Sequence, residues 1–317
     1  MKYRAIIREA WVLTQENKKL IWWFAFIPAL LSSLVSMVYI SYQAAALWTS
    51  PYLRESATET HLLSSIIKKA LELFNQNPSL GVFGIVMIVL VLLAYLLLPV
   101  FTQGALIQLV ARVRAGEEVS IARGMSYGFS RFLQLFEYHT FIKTFSFIGI
   151  FTEATFTFRI FGPEPFKLFG WIFLFLILIG LFFTLLFTYS EYYIVIDKEG
   201  VFKSVLRSGG LVVRQWHHTL FMLLLMAVII VRVGLNLLVA FLVPALVIAP
   251  IFLFTSLALA KIGAIIGAIA GLVVLYFASY FLGVFHVFTS TVWTFTFLDL
   301  TREEANAIDL HKVASRD

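Results

Sequence analysis

The stretch FTQGALIQLVARVRAGEE, Phe101 to Glu118, decides how the whole chain is read, because two later stretches echo it. FTYSEYYIVIDKEG begins at Phe187, and FTSTVWTFTFLDLTREE begins at Phe288. Each opens with Phe-Thr inside an apolar run (Phe101 and Thr102, Phe187 and Thr188, Phe288 and Thr289), crosses aliphatic and aromatic residues, and ends in charges. The same exit made three times is the pattern of a chain that leaves a membrane three times on one side.

The composition agrees. Of 317 residues, 61% are hydrophobic and 13% charged, whereas a soluble domain carries about a quarter charged. Apolar runs of about 20 residues, enough to cross a bilayer, recur along the chain. A crossing segment must satisfy its own backbone polar groups, so these runs are expected to be helices. The chain has no cysteine, which excludes disulfides and thiolate metal sites. The net charge of +6 does not point to nucleic acid, because the basic residues flank apolar runs. Sidedness and attraction to anionic lipid account for them there.

Hydropathy places six spans, at about 21–42, 80–111, 133–158, 168–195, 218–248 and 263–298. The first is too long for the apolar region of a signal peptide and reads as an uncleaved span. One set of loops carries Lys2, Arg4, Arg8, Lys18, Lys19, Arg112, Arg114, Arg123, Arg131, Lys198, Lys203, Arg207, Arg214, Arg302, Lys312 and Arg316. The opposite set has only Arg54, Lys68, Lys69, Arg159, Lys167 and Lys261. This asymmetry puts both termini in the cytoplasm.

A basic amphipathic segment precedes each pair of spans. In AIIREAWVLTQENKKLIWWF, from Ala5, Ile6, Ile7, Ala10 and Trp11 oppose Arg4, Arg8 and Glu9. In SIARGMSYGFSRFLQLF, from Ser120, Ile121, Met125 and Phe129 oppose Arg123 and Ser130. In GVFKSVLRSGGLVVRQWHHTLF, from Gly200, Val201, Phe202, Val205 and Leu206 oppose Lys203 and Arg207. The expected fold is therefore an all-α integral membrane protein with six transmembrane helices in three repeated units. Each unit is an interfacial helix followed by a helical hairpin. The whole of 1–317 is one membrane domain, with repeats at 1–116, 117–199 and 200–304 and a short polar tail at 305–317.

The stretches REAWVLTQENKKLIWWFAFIPALL, GALIQLVARVRAGEEVSIARGM and YYIVIDKEGVFKSVLRSGGLVVRQW resemble the six-pass membrane domain of some bacterial glycerophosphodiester phosphodiesterases and its stand-alone relatives. The catalytic domain of those enzymes has no counterpart in this chain, so the resemblance implies a membrane role without the phosphodiesterase activity.

No nucleotide-binding loop, zinc-protease or serine-hydrolase motif is found. His217 and His218 are about 100° apart on a helix, and Glu137 and His139 about 200°, so neither pair forms a metal site unaided. No cofactor is expected. Ionisable residues inside spans carry a functional expectation: Lys143 and Glu153 in span three, Arg232 in span five and His286 in span six. They either line a polar pathway or form a structural pair, with long basic side chains reaching to headgroups. Arg232 is expected to find a partner across helices, Glu153 first, with the His286 ring, Tyr or Thr hydroxyls, carbonyls freed near a proline or a lipid phosphate as the alternatives. Glu191, nearer the inner surface, is expected to be solvated. Gly263, Gly267 and Gly271 share a helical face that permits close packing, within the chain or between subunits. A non-catalytic protein that associates with lipid and partner proteins, or with copies of itself, fits these features best. Transport or lipid handling is second and a membrane enzyme third.

Overall fold

The computed structural model describes residues 3–48, 68, 71–72, 74–118, 120–142, 164–258 and 260–314, and the regular structure among them is entirely helical. Four helices are long and apolar enough to cross a membrane: Lys18–Tyr39, Pro78–Arg114, Trp216–Asn236 and Ile265–Glu303. A shorter apolar helix covers Gly170–Leu186. Along the most apolar stretch of Pro78–Arg114, none of the residues is buried by the protein. So large an apolar surface is stable only against other apolar matter, and hydrocarbon supplies it. Most of the expected third span, with Lys143 and Glu153, lies outside the described residues.

Helix α1 (Tyr3–Glu16) is followed at once by α2 (Lys18–Leu20), a π-helical turn (Ile21–Phe26) and α3 (Ile27–Trp48). Pro28 provides the reason for the π turn, since it has no N–H to donate to the carbonyl one turn back and the ladder is already disturbed there. Then come α4 (Pro78–Arg114), α5 (Ile121–Ser130), α6 (Phe132–Glu137) with a π turn (Tyr138–Ile142), and α7 (Glu164–Leu186). The chain continues through α8 (Ser190–Val195), α9 (Val201–Arg214), α10 (Trp216–Ala258) and α11 (Ala260–Ala314). Helix α11 has 55 residues, about 80 Å at 1.5 Å per residue, far more than a bilayer needs. It runs on through most of the polar tail.

By compactness the chain forms two units that interleave in sequence. One comprises Met1–Leu30, Val113–Val119 and Gly210–Asp317, the other Leu31–Arg112 and Ser120–Gly209.

In the first unit α1 packs along α11, and the π turn packs against the same helix. Ile6, Ala10, Leu13 and Thr14 of α1 are buried, as are Val287, Phe288, Val292, Phe295 and Phe297 of α11. Four hydroxyls on this part of α11 bond back to their own helix, Thr291 to Val287 O at 2.7 Å, Thr294 to Ser290 O at 2.7 Å, Thr296 to Val292 O at 2.8 Å and Thr301 to Phe297 O at 2.9 Å. They are thereby satisfied without a partner helix. Close backbone approach occurs at Gly283, where an added Cβ would lie 3.2 Å from Phe26 N. At Gly271 nothing lies within 4 Å of that position. Gly267 is half-buried, and the surroundings of Gly263 lie outside the described residues.

In the second unit the C-terminal part of α4 is enclosed, with Thr102, Ala105, Leu106, Ile107 and Val110 buried. Helix α5 crosses it at Gly128, where a Cβ would stand 2.7 Å from the Phe101 ring and 2.9 Å from the Phe101 carbonyl oxygen. The expected fourth span is not one helix. Phe187 to Tyr189 form a turn between α7 and α8, so Phe187 and Thr188 sit at a break, whereas Phe101 and Thr102, and Phe288 and Thr289, lie within continuous helices. Tertiary hydrogen bonds hold that break. The Ser208 hydroxyl donates to Leu186 O at 2.7 Å and accepts from Tyr189 N–H at 3.0 Å, and Tyr138 donates to Phe187 O at 3.2 Å. Thr188 caps the end of α7 itself, donating to Leu185 O at 2.7 Å.

Candidate functional site

The break between α7 and α8 brings together residues that are far apart in sequence. Glu191, in the first turn of α8, receives a hydrogen bond from Gln103 Nε2 at 3.0 Å and lies 3.2 Å from His139 Nε2. Its side chain is 12% exposed, which corrects the expectation of a solvated carboxylate. The correction has a geometric cause: the turn at Phe187–Tyr189 redirects the chain, and Glu191 faces α4 and the π turn after α6 instead of water. No pattern of spacing signals this, since Glu191, Gln103 and His139 come from three separate elements.

Beyond α8 the chain reverses through Asp197, Lys198, Glu199 and Gly200. Lys198 takes φ 60°, the left-handed conformation that often ends helices, and Glu199 N–H donates to Tyr193 O at 3.2 Å. After α4 the same task falls to Gly116, with φ 91°. Arg207 of α9 closes the reversal, with Nη1 2.7 Å from Glu199 Oε1 and 3.6 Å from Asp197 Oδ2, and its guanidinium 4.6 Å from the centre of the Tyr193 ring. Lys203 Nζ adds a contact to Glu199 at 3.1 Å. Burial alone would push Glu199 up, but the hydrogen bonds and charges of Lys203 and Arg207 outweigh it and hold the carboxyl below its ordinary value. Asp197 goes the other way, raised by burial with a further push from Glu199, against the pull of Arg207.

In the first unit the focus is Arg114. Its Nη1 is 2.8 Å from Asp299 Oδ1 and donates to Phe295 O at 3.0 Å, its Nε is 3.6 Å from Glu9 Oε1, and its guanidinium lies 4.3 Å from the centre of the Phe295 ring. Helix α1 is fastened at its start by Tyr3, whose hydroxyl meets His218 Nδ1 and whose ring lies 4.6 Å from Phe221. Trp11 packs edge-on against Phe288 at 5.7 Å.

The three short basic helices share a second property. Each turns small residues toward the protein, Ala10 and Thr14 on α1, Gly124 and Gly128 on α5, Ser204 and Ser208 on α9. Each also leaves large apolar side chains uncovered: Trp11, Met125 and Phe129, and Phe202 and Leu206, the last three being 73%, 75% and 77% exposed. On α1 and α9 this departs from the expected single apolar face, for Ile6, Ala10 and Val201 are buried while Trp11, Phe202 and Leu206 are not.

Of the ionisable residues expected inside the membrane, Arg232 and His286 are exposed on α10 and α11. The proposed Arg232–Glu153 pair falls outside the described residues. No group of three metal-ligating side chains occurs among the described residues. No known protein family, curated protein or solved structure matches the chain.

Proposed function

We infer that this is a non-catalytic, six-pass protein of a prokaryotic cell membrane, built from three interfacial-helix and hairpin repeats with both termini in the cytoplasm. Its short basic helices associate with anionic lipid and with partner proteins, as a scaffold or accessory subunit. One observation carries the reading. Each of those helices buries small residues against the protein and still leaves bulky apolar side chains uncovered. Apolar side chains beside Lys and Arg are what a helix lying in a headgroup layer presents. The motif resemblance to the membrane domain of glycerophosphodiester phosphodiesterases supports the same assignment. The test is crosslinking in native membranes together with lipid analysis of the purified protein. A strictly monomeric protein with no crosslinked partner and no enrichment of anionic lipid defeats the reading.

Transport is the second reading, favoured by the interrupted helix at Phe187–Tyr189 that places Glu191 against His139 and Gln103. Interrupted helices with acidic residues serve as ion and proton sites in transporters. A flux across liposomes that Glu191→Gln or Arg232→Leu abolishes, with the protein still folded, puts transport first.

A further inference from the structure

We propose that α1 carries a defined site for the phosphate headgroup of an anionic phospholipid, with Arg4 and Arg8 as its two ligands. The proposal rests on the lipid-association reading and gives it an address. Tyr3, Arg4, Ala5, Ile7, Arg8 and Trp11 line an open, mainly apolar depression along one side of α1. Arg4 and Arg8 are one helical turn apart, so their guanidinium groups reach the same point in space, and both are exposed. Neither has an ion pair among the described residues. The nearest acid of α1, Glu9, points away toward Arg114. Two planar, permanently charged forks suit the oxygens of a phosphodiester.

The depth is also right. Helix α1 ends at Glu16, two residues before the apolar crossing helix Lys18–Tyr39 begins. Its other end is held by Tyr3 to His218 and Phe221, in the first turns of the crossing helix Trp216–Asn236. Both ends of α1 are thus fixed where helices enter hydrocarbon, which is the level of the headgroups. Ile7 and Trp11 supply the apolar wall along which the lipid's glycerol and upper acyl chain descend. Trp11 is itself braced by Phe288.

The experiment uses the full chain in nanodiscs of phosphatidylcholine containing spin-labelled phosphatidylglycerol or spin-labelled phosphatidylcholine, and measures the preference for the anionic lipid from the immobilised fraction. Arg4→Gln/Arg8→Gln is compared with Arg123→Gln/Lys203→Gln, which removes two charges from the other basic helices. Because Arg4 and Arg8 are exposed and have no ion pair among the described residues, their loss leaves the fold intact, and circular dichroism verifies this. The expected result is a loss of about five-fold in preference for each arginine removed, with a much smaller loss in the second variant. Equal losses in both variants overturn the site in favour of diffuse charge. No loss in Arg4→Gln/Arg8→Gln with a loss in the other variant overturns the site but leaves lipid association standing. If neither variant nor added salt changes the preference, both the site and the underlying reading fall.

Discussion

Arg114 Nη1 stands 2.8 Å from Asp299 Oδ1 and 3.0 Å from the carbonyl oxygen of Phe295, so one guanidinium group joins the segment just before Gly116 to α11. Both side chains are partly exposed, at 22% and 32%, and the pair is therefore worth less than a fully buried one. Hydrogen bonds to charged groups contribute about 1.5–3 kcal/mol when well formed, and exposure discounts this to about 1 kcal/mol or slightly more. Arg114→Ala and Asp299→Ala should each lower stability in a detergent unfolding titration. A double-mutant cycle should give a coupling near 1 kcal/mol. Full additivity of the two losses would show that the contact contributes nothing.

Two glycines make opposite predictions from the same substitution. At Gly128 a Cβ meets the Phe101 ring at 2.7 Å and the Phe101 carbonyl oxygen at 2.9 Å, and the carbonyl belongs to backbone that cannot yield cheaply. Gly128→Ala should destabilise by about 1–3 kcal/mol. At Gly271 the position is open, and alanine is the better helix former by up to about 1 kcal/mol. Gly271→Ala should be neutral or mildly stabilising. Thermal midpoints of the two variants decide the matter, and a clear loss at Gly271 would reveal a contact made by another subunit.

The Asp197–Glu199–Lys203–Arg207 cluster predicts a pH response. Glu199 is held below its ordinary value, so its contribution is fully present above the unfolded carboxylate range and is lost as pH falls through the lower folded value. Asp197 is raised, so its contribution has the opposite sign, present in acid and lost as pH rises through the folded value. Glu199→Gln removes the acid-labile part alone. The thermal midpoint of the wild type should fall more steeply than that of Glu199→Gln between pH 6 and about 3. Parallel curves would mean that Lys203 and Arg207 leave the carboxyl unaffected.

Single cysteines test the proposed sidedness against a background with no native thiol. An impermeant maleimide added to intact cells should label cysteine at Ser56 but not at Gly116, Gly200 or Asn306. Labelling at Gly200 from outside would reverse the topology and with it the placing of all three basic helices.

The residues that the sequence determined are those whose behaviour depends on their own chemistry and spacing. An apolar run of about 20 residues needs no partner to declare itself a helix that belongs in hydrocarbon, because water and backbone hydrogen bonding leave it no alternative. The four long apolar helices were legible for that reason, but the faces of α1 were not, since Ile7 and Trp11, expected opposite Arg4 and Arg8, share one surface with them while Ile6 and Ala10 are buried. Tertiary structure decided what depends on distant neighbours. The break at Phe187–Tyr189 has no proline or glycine to announce it; it exists because Ser208 and Tyr138 take up the backbone groups that a continuous helix would have paired. The burial of Glu191 follows from that break, and the split faces of α9 follow from Ser204 and Ser208 being turned inward. Periodicity ranks the faces of one helix by polarity, but which face is covered is settled by the surface the helix meets.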